Sequence, residues 1–219
     1  MSYPAIKAVV FDLDGLMFNT EDVFELSGSE VIGRRGHTMT PELRNSMMGR
    51  RAEEAFEILI ASLQLSESPA ELQAETEEIF HNLLDGHLAP MPGLFELLTH
   101  IEEAKLPKGV ATSSGRAYLE KILTRFELMP RFEVLLTAED VSQGKPKPEI
   151  YLKAAERLNV QPAEMLVLED SEAGTRAAAA AGAVIVSIPH RHSASQNFDT
   201  ASHIAESLLD PFILNCLRH

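Results

Sequence analysis

Ile6-Lys7-Ala8-Val9-Val10-Phe11-Asp12-Leu13-Asp14-Gly15 is the stretch that decides the fold. A β-branched apolar run stops abruptly at an acidic turn, so Ile6 to Phe11 reads as a strand that Asp12 to Gly15 terminates. Continuous apolar character marks a strand covered on both faces, as in a parallel sheet. Residues two apart on extended backbone point the same way. The carboxylates of Asp12 and Asp14 would therefore face one site. Crowding like charges is costly unless a cation or a shared proton relieves it. Asp and Gly are also ordinary turn residues, so this stretch alone leaves a plain turn open.

Working outward, the pattern turns helical from about Thr20 to His87, with apolar residues at three-to-four spacing over Ala52 to Leu63 and Pro69 to Leu84. Met91-Pro92-Gly93 marks a break. Beyond it, strands and helices alternate. Gly109 to Ala111, Val134 to Thr137, Met165 to Leu168 and Ala183 to Ser187 read as strands. Gly93 to Ala104, Arg116 to Phe126, Pro148 to Leu158, Ser171 to Ala181 and Pro211 to Leu217 read as helices. The alternation implies an α/β fold, a parallel sheet covered by helices, with an all-helical block inserted after the first strand.

Bulk properties narrow the function. The 219 residues suit one core domain with an insert, and 45% hydrophobic content is ample for a buried core. A net charge of −14 repels phosphate backbones, which argues against nucleic acid as a partner. The same field means that a phosphorylated ligand needs local positive charge. No run approaches the roughly 18 apolar residues of a membrane span, and the apolar stretch near the N-terminus is too short for a signal peptide. The one cysteine, Cys216, excludes a disulfide framework within the chain and fits a cytoplasmic setting. A monomer is expected.

Ligands of open parallel sheets bind beyond the carboxyl ends of the strands. Three further loops place polar residues there. Thr112-Ser113-Ser114-Gly115 offers hydroxyls and N–H groups at a helix start, a natural anion site or a simple helix cap. Its weak echo of a G-x-S-x-G elbow lacks the first glycine and an assignable histidine base. Gly144-Lys145-Pro146-Lys147-Pro148 holds Lys145 in a proline-stiffened loop, from which it can neutralise a phosphate and nearby carboxylates. Glu169-Asp170-Ser171 adds two acids. Asp12, Asp14, Glu169 and Asp170 would then share one sheet edge. Hard oxygen donors in that number suit Mg²⁺.

With these four motifs in order, the chain resembles the haloacid dehalogenase-like (HAD) superfamily, and within it the β-phosphoglucomutase-like branch. The resemblance spans nearly the whole chain. It rests on D-L-D-G at 12–15, A-T-S-S at 111–114, G-K-P-K-P at 144–148 and L-E-D-S at 168–171. It implies a Rossmann-like core of residues 1–17 and 89–219 with a helical cap of residues 18–88. It implies that Asp12 attacks phosphorus to form an aspartyl-phosphate and that Asp14 is the general acid/base. Mg²⁺ would be held by Asp12, the Asp14 carbonyl and Asp170, with Glu169 nearby or through water. Thr112, Ser113 and Lys145 would hold phosphoryl oxygens, with Ser114 in the same substrate-binding loop. Halide-releasing members lack the second aspartate and phosphonatases carry alanine there, so Asp14 disfavours both.

The reading that results is a Mg²⁺-dependent phosphatase of a small phosphorylated metabolite, a sugar phosphate. A phosphomutase of the β-phosphoglucomutase type is the alternative, and a catalytically idle binding relative a further one. Against the mutase, its histidine four residues after the threonine matching Thr20 is here Phe24. Its cap lysine and arginine match Met48 and Ala52. In the cap, Asn45 to Arg51 is a candidate substrate loop with Gly49 as its bend. Arg50 or Arg51 either reaches an anionic substrate group or lies solvated at a helix start. Phe18, Asn19 and Thr20 fall at the expected hinge as candidate substrate contacts. Met39, Met47 and Met48 read as cap core or groove lining. His190-Arg191-His192 reads as a solvated loop after a strand, since no further metal ligand has suitable spacing.

Overall fold

Six strands form the sheet: β1 (Ala8–Phe11), β2 (Lys108–Ala111), β3 (Val134–Leu136), β4 (Met165–Glu169), β5 (Val184–Ser187) and β6 (His203–Ile204). The computed structural model describes residues 4–47 and 52–218. Strand order is β3-β2-β1-β4-β5-β6, and every pairing is parallel. The apolar run read from the sequence is thus the centre of the sheet, where a strand must be apolar on both faces. All four β1 residues are buried.

Contacts divide the chain into two units, Met1–Phe18 with Pro90–His219, and Asn19–Ala89. The first holds the sheet and the helices α5 (Leu94–Glu103), α6 (Arg116–Arg125), α7 (Glu149–Arg157), α8 (Glu172–Ala181) and α9 (Pro211–Cys216). One core cluster joins Val10, Ala111, Leu136 and Val167 of the strands to Ile150, Tyr151 and Ala154 of α7 and to Ala177, Ala178 and Ala181 of α8. The alanine run of α8 packs on the sheet. Its short side chains let the α8 backbone approach without losing helix propensity.

The second unit holds α1 (Thr20–Gly33), α2 (Pro41–Met47), α3 (Ala52–Leu63) and α4 (Pro69–His87). Val31, Ile32, Leu43, Phe56, Leu59, Leu72 and Ile79 form its core, and Met39 and Met47 pack against them. Met48 lies outside the described residues. Asn19 ties the two ends of the unit together: its amide donates to His87 O at 3.2 Å and accepts from Ala89 N at 2.7 Å. Ser68 and Glu71 form a capping box at the start of α4. Among the described residues no helix is long and apolar enough to cross a membrane.

The element reading from sequence holds, with two differences. Pro148 precedes α7 as its N-cap rather than sitting in its first turn. The two-residue strand β6 carries no apolar run to betray it; its outer position in the sheet needs only backbone pairing.

Glu102 at the end of α5 ties β2 to the turn before β3. Arg131 donates to it through Nε at 2.8 Å and Nη2 at 2.9 Å, and Lys108 Nζ lies 3.1 Å away. These bonds, Arg131 first, hold its carboxyl down to about 2 against the effect of burial. An unfolded glutamate titrates near about 4.3. The stabilisation is therefore complete above that value and is lost as pH falls toward about 2. Glu102→Gln is expected to be slightly less stable than wild type at pH 7, by under roughly 1 kcal/mol since the side chain is 40% exposed. That gap should close as denaturation is repeated from pH 5 down to pH 2; a gap that widens contradicts the assignment.

Candidate active site

The register of the central strands fixes where the acids emerge. Phe11 pairs with Val110 and with Leu168. The next residues, Asp12 and Glu169, therefore leave the sheet at one level with the β2 end at Ala111, and Thr112 follows one residue on. Asp12 N donates to Leu168 O at 3.0 Å and Thr112 N to Leu136 O at 3.0 Å, which carries the sheet's bonding one residue past the strands. Asp12, Thr112, Glu169 and Asp170 are all buried.

Lys145 binds this edge together. Its Nζ lies 2.5 Å from Asp12 Oδ1, 2.6 Å from Glu169 Oε1 and 2.9 Å from Ala111 O. An ammonium has three protons, and all three are engaged. Burial works against its charge, but Asp12 and then Glu169 outweigh burial and hold it well above the ordinary lysine range. The loop that delivers it is pinned by Glu149, the first residue of α7. Ser142 N, Ser142 Oγ and Gln143 N all donate to the Glu149 carboxylate at 2.7–3.1 Å.

Glu169 is saturated by protein donors. Lys145 and the Tyr151 hydroxyl, at 2.8 Å, reach Oε1. Asp170 N, Ser171 N and Ser171 Oγ reach Oε2 at 2.9–3.1 Å. The carboxylate lies so close to α8 that a Cβ at Gly174 would collide with it. Ser171 also caps α8 by accepting from Gly174 N.

Oxygens of Asp12, Glu169 and Asp170 come within 4.8 Å of one another. Two unit charges at such spacing interact by roughly 4 kcal/mol at an effective dielectric of 20. One ammonium against three carboxylates leaves an excess of two negative charges. Burial accordingly pushes the Asp12 carboxyl well above its ordinary range; Lys145 pulls it down, while Glu169, Asp170 and Asp14 push it up. A divalent cation could supply the missing charge, and a buried set of hard carboxylate oxygens is the donor chemistry that Mg²⁺ takes. The residues fit the ion.

Asp14 faces the loop after β2. Ser114 Oγ donates to its Oδ2 at 2.6 Å, Thr112 Oγ1 to the same oxygen at 3.4 Å, and the Tyr118 hydroxyl to Oδ1 at 3.0 Å. Thr112 Oγ1 in turn accepts Ser114 N at 3.0 Å, and Arg116 N donates to both Glu139 oxygens at 3.0 Å. Parts of the expected anion cradle are thus already bonded within the protein. Gly15 turns the chain with a φ of +78°, and Gly15 N donates to Phe18 O at 2.9 Å. A Cβ here would strike Asp170 Oδ2 and come within 2.7 Å of His190 Nε2.

That contact corrects one expectation. His190 is not a solvated loop residue: its side chain is 15% exposed and Nε2 lies 2.9 Å from Asp170 Oδ2. The spacing argument failed because it sought ligands along the chain, whereas parallel-sheet topology brings the end of β5 beside the end of β4. Of the other candidates, Ser113 is exposed in the loop and Thr20 is buried at the start of α1 in the second unit. Phe18 is buried and stacks on Phe126 at 4.9 Å. Gly49, Arg50 and Arg51 lie outside the described residues. Sequence reasoning missed Tyr118, Glu149, Tyr151, Gly174 and His190. Each acts one step behind a motif. Tyr118, Glu149, Tyr151 and Gly174 stand within four residues of one, whereas His190 stands far from any.

The family model for haloacid dehalogenase-like hydrolases matches residues 9–188. The chain belongs to that family and is an enzyme of its hydrolase class. It is similar to a validoxylamine A 7'-phosphate phosphatase of Streptomyces hygroscopicus subsp. limoneus, 37% identical over 86% of this chain and 88% of the relative. It is similar to a phosphorylated carbohydrates phosphatase of Thermotoga maritima, 32% identical over 81% and 82% of the two chains. Among solved structures, a Thermotoga maritima protein provisionally assigned as a β-phosphoglucomutase superposes with a TM-score of 0.82 at 29% identity, over 97% and 98% of the two chains.

Gly174→Ala should displace the Glu169 carboxylate from its donors. Hydrogen bonds to a charged group contribute about 2 kcal/mol, so the melting temperature should fall by roughly 4–8 °C. Gly86→Ala, which meets nothing within 4 Å, serves as the control and should not fall. Equal melting of the two variants would refute the close packing of Glu169 on α8.

Proposed function

We propose that this enzyme is a Mg²⁺-dependent phosphatase of a small phosphorylated metabolite, sugar-like in character, working through a phosphoryl group carried on Asp12. The observation that carries the reading is the buried Asp12 carboxylate gripped by Lys145, with a second, hydroxyl-bonded carboxylate on Asp14 two residues on. The similarity to phosphatases, one of them named for phosphorylated carbohydrates, supports the substrate class. A reducing, cytoplasmic setting suits a chain with one cysteine.

Asp12, Asp170 and the Asp14 carbonyl would hold the ion. Glu169, with both oxygens taken by protein donors, serves Lys145 from behind. Bound there, Mg²⁺ supplies charge neutralisation and Lewis-acid polarisation of the phosphoryl oxygens. Lys145 fixes one Asp12 oxygen and stabilises its ionised form, leaving the other oxygen free to attack phosphorus. As the bond from Asp12 to phosphorus forms, the bond to the leaving oxygen breaks, and Asp14 gives that oxygen its proton. Asp14, now ionised, takes a proton from water. The resulting hydroxide attacks phosphorus, releases inorganic phosphate and restores Asp12. Ser114 and Tyr118 hold Asp14 for both transfers. Thr112, whose hydroxyl lies 3.4 Å from Asp14 Oδ2, and its neighbour Ser113 in the loop before α6 would receive phosphoryl oxygens.

The mutase alternative shares every step but the last, since it returns the phosphoryl group to another hydroxyl of the sugar. Phe24, where that reaction's proton relay would stand, favours hydrolysis. Asp12→Asn is expected to lower turnover of p-nitrophenyl phosphate at least about 10³-fold with the fold intact by circular dichroism. Chelation should silence the wild type, and Mg²⁺ should restore it where Na⁺ does not. A panel of sugar phosphates should yield free phosphate. Isomer without phosphate release would make it a mutase, and an inert wild type would support the idle relative.

A further inference from the structure

The loop after β5 delivers a histidine to the acidic edge with its protonation state set by the backbone. His192 N donates to His190 Nδ1 at 3.2 Å, which requires a lone pair there. The imidazole is therefore neutral with its proton on Nε2, and that N–H donates to Asp170 Oδ2 at 2.9 Å. The loop around the ring is clamped. Ser193 N and Ala194 N donate to His190 O at 3.0 and 2.8 Å, and His190 N donates to Ser193 Oγ at 3.1 Å. Gly15 leaves the space that the Asp170–His190 pair fills.

We infer that His190 is a positioning residue for Asp170, whose neutral N–H fixes one carboxylate oxygen and so sets the orientation of the other before a cation arrives. The inference rests on Asp170 being a metal ligand, as proposed above. The choice of a neutral donor matters. Lys145 already satisfies Asp12 and Glu169 with positive charge. A second cation on Asp170 would halve the negative excess that suits a divalent ion, whereas an imidazole N–H orients the carboxylate and leaves its charge in place. Outer partners of this kind set metal affinity by about 10–100-fold.

The test is calorimetric titration of Mg²⁺ into the metal-free full chain at one pH, for wild type, His190→Ala and His190→Gln. The alanine variant should bind Mg²⁺ about 10–100-fold more weakly. The Mg²⁺ concentration for half-maximal activity should rise in step, and kcat at saturating Mg²⁺ should stay close to wild type. Glutamine can place an N–H where Nε2 stands, so it should recover most of the affinity. A purely structural role would lower the melting temperature of the metal-free protein and leave the Mg²⁺ affinity alone. Wild-type affinity in the alanine variant, or a glutamine variant as weak as alanine, overturns the inference. Should the alanine variant not fold, His190→Leu keeps the bulk and takes its place with the same expected weakening. If the wild type itself binds no Mg²⁺, it is the metal reading that fails, a distinct result.

Discussion

The edge of this sheet depends on one buried ammonium. Lys145 donates its three protons to Asp12, Glu169 and Ala111 O, and so holds the ends of β1, β2 and β4 in one charged knot. Without it, the carboxylates of Asp12, Glu169 and Asp170 would crowd one another in a region closed to water, at a cost of several kcal/mol per ion. With it, the deficit is reduced but not removed. The residual negative charge is what would draw the proposed divalent ion to an otherwise repulsive place.

Around that knot, the surroundings are fitted to its members. Gly174 makes room for the Glu169 carboxylate, and Gly15 makes room for Asp170 and His190. Tyr151, buried between α7 and the sheet, gives its hydroxyl to Glu169. Glu149 ties down the loop that carries Lys145. None of these residues needs to touch substrate. Their work is to keep Asp12 and Asp14 in place and different: Asp12 against an ammonium, Asp14 against hydroxyls. That difference is what the proposed division of the two carboxylates into nucleophile and proton carrier requires.

Much of this was legible before any coordinates. The Ile6–Phe11 run, with Asp12 and Asp14 at its end, identified a buried parallel strand and the acids together, because burial on both faces writes a continuous apolar signature. The strand-ending loops at Thr112, Lys145 and Glu169 followed from the rule that parallel sheets present their sites at carboxyl ends. What stayed hidden left no distinctive local pattern. His190 reaches the site through sheet topology and not through spacing along the chain, while Tyr118 and Tyr151 lie in the first turns of α6 and α7, where a tyrosine reads as ordinary helix packing. β6, two residues long, has no room for a periodic signal. Glu169 could be read as an acid at the edge, but not as an acid whose oxygens are already spoken for.

The central claim is that the excess charge at the sheet edge is completed by a divalent ion between Asp12 and Asp170 while Lys145 keeps its grip on Asp12 and Glu169. A high-resolution crystal structure grown with Mg²⁺ tests this most directly. The account predicts an octahedral ion with oxygens from Asp12 and Asp170 at about 2.0–2.1 Å, and a Lys145 ammonium unmoved. An ion bound elsewhere, or an edge that stays empty at saturating Mg²⁺ with Lys145 alone among the acids, would contradict it.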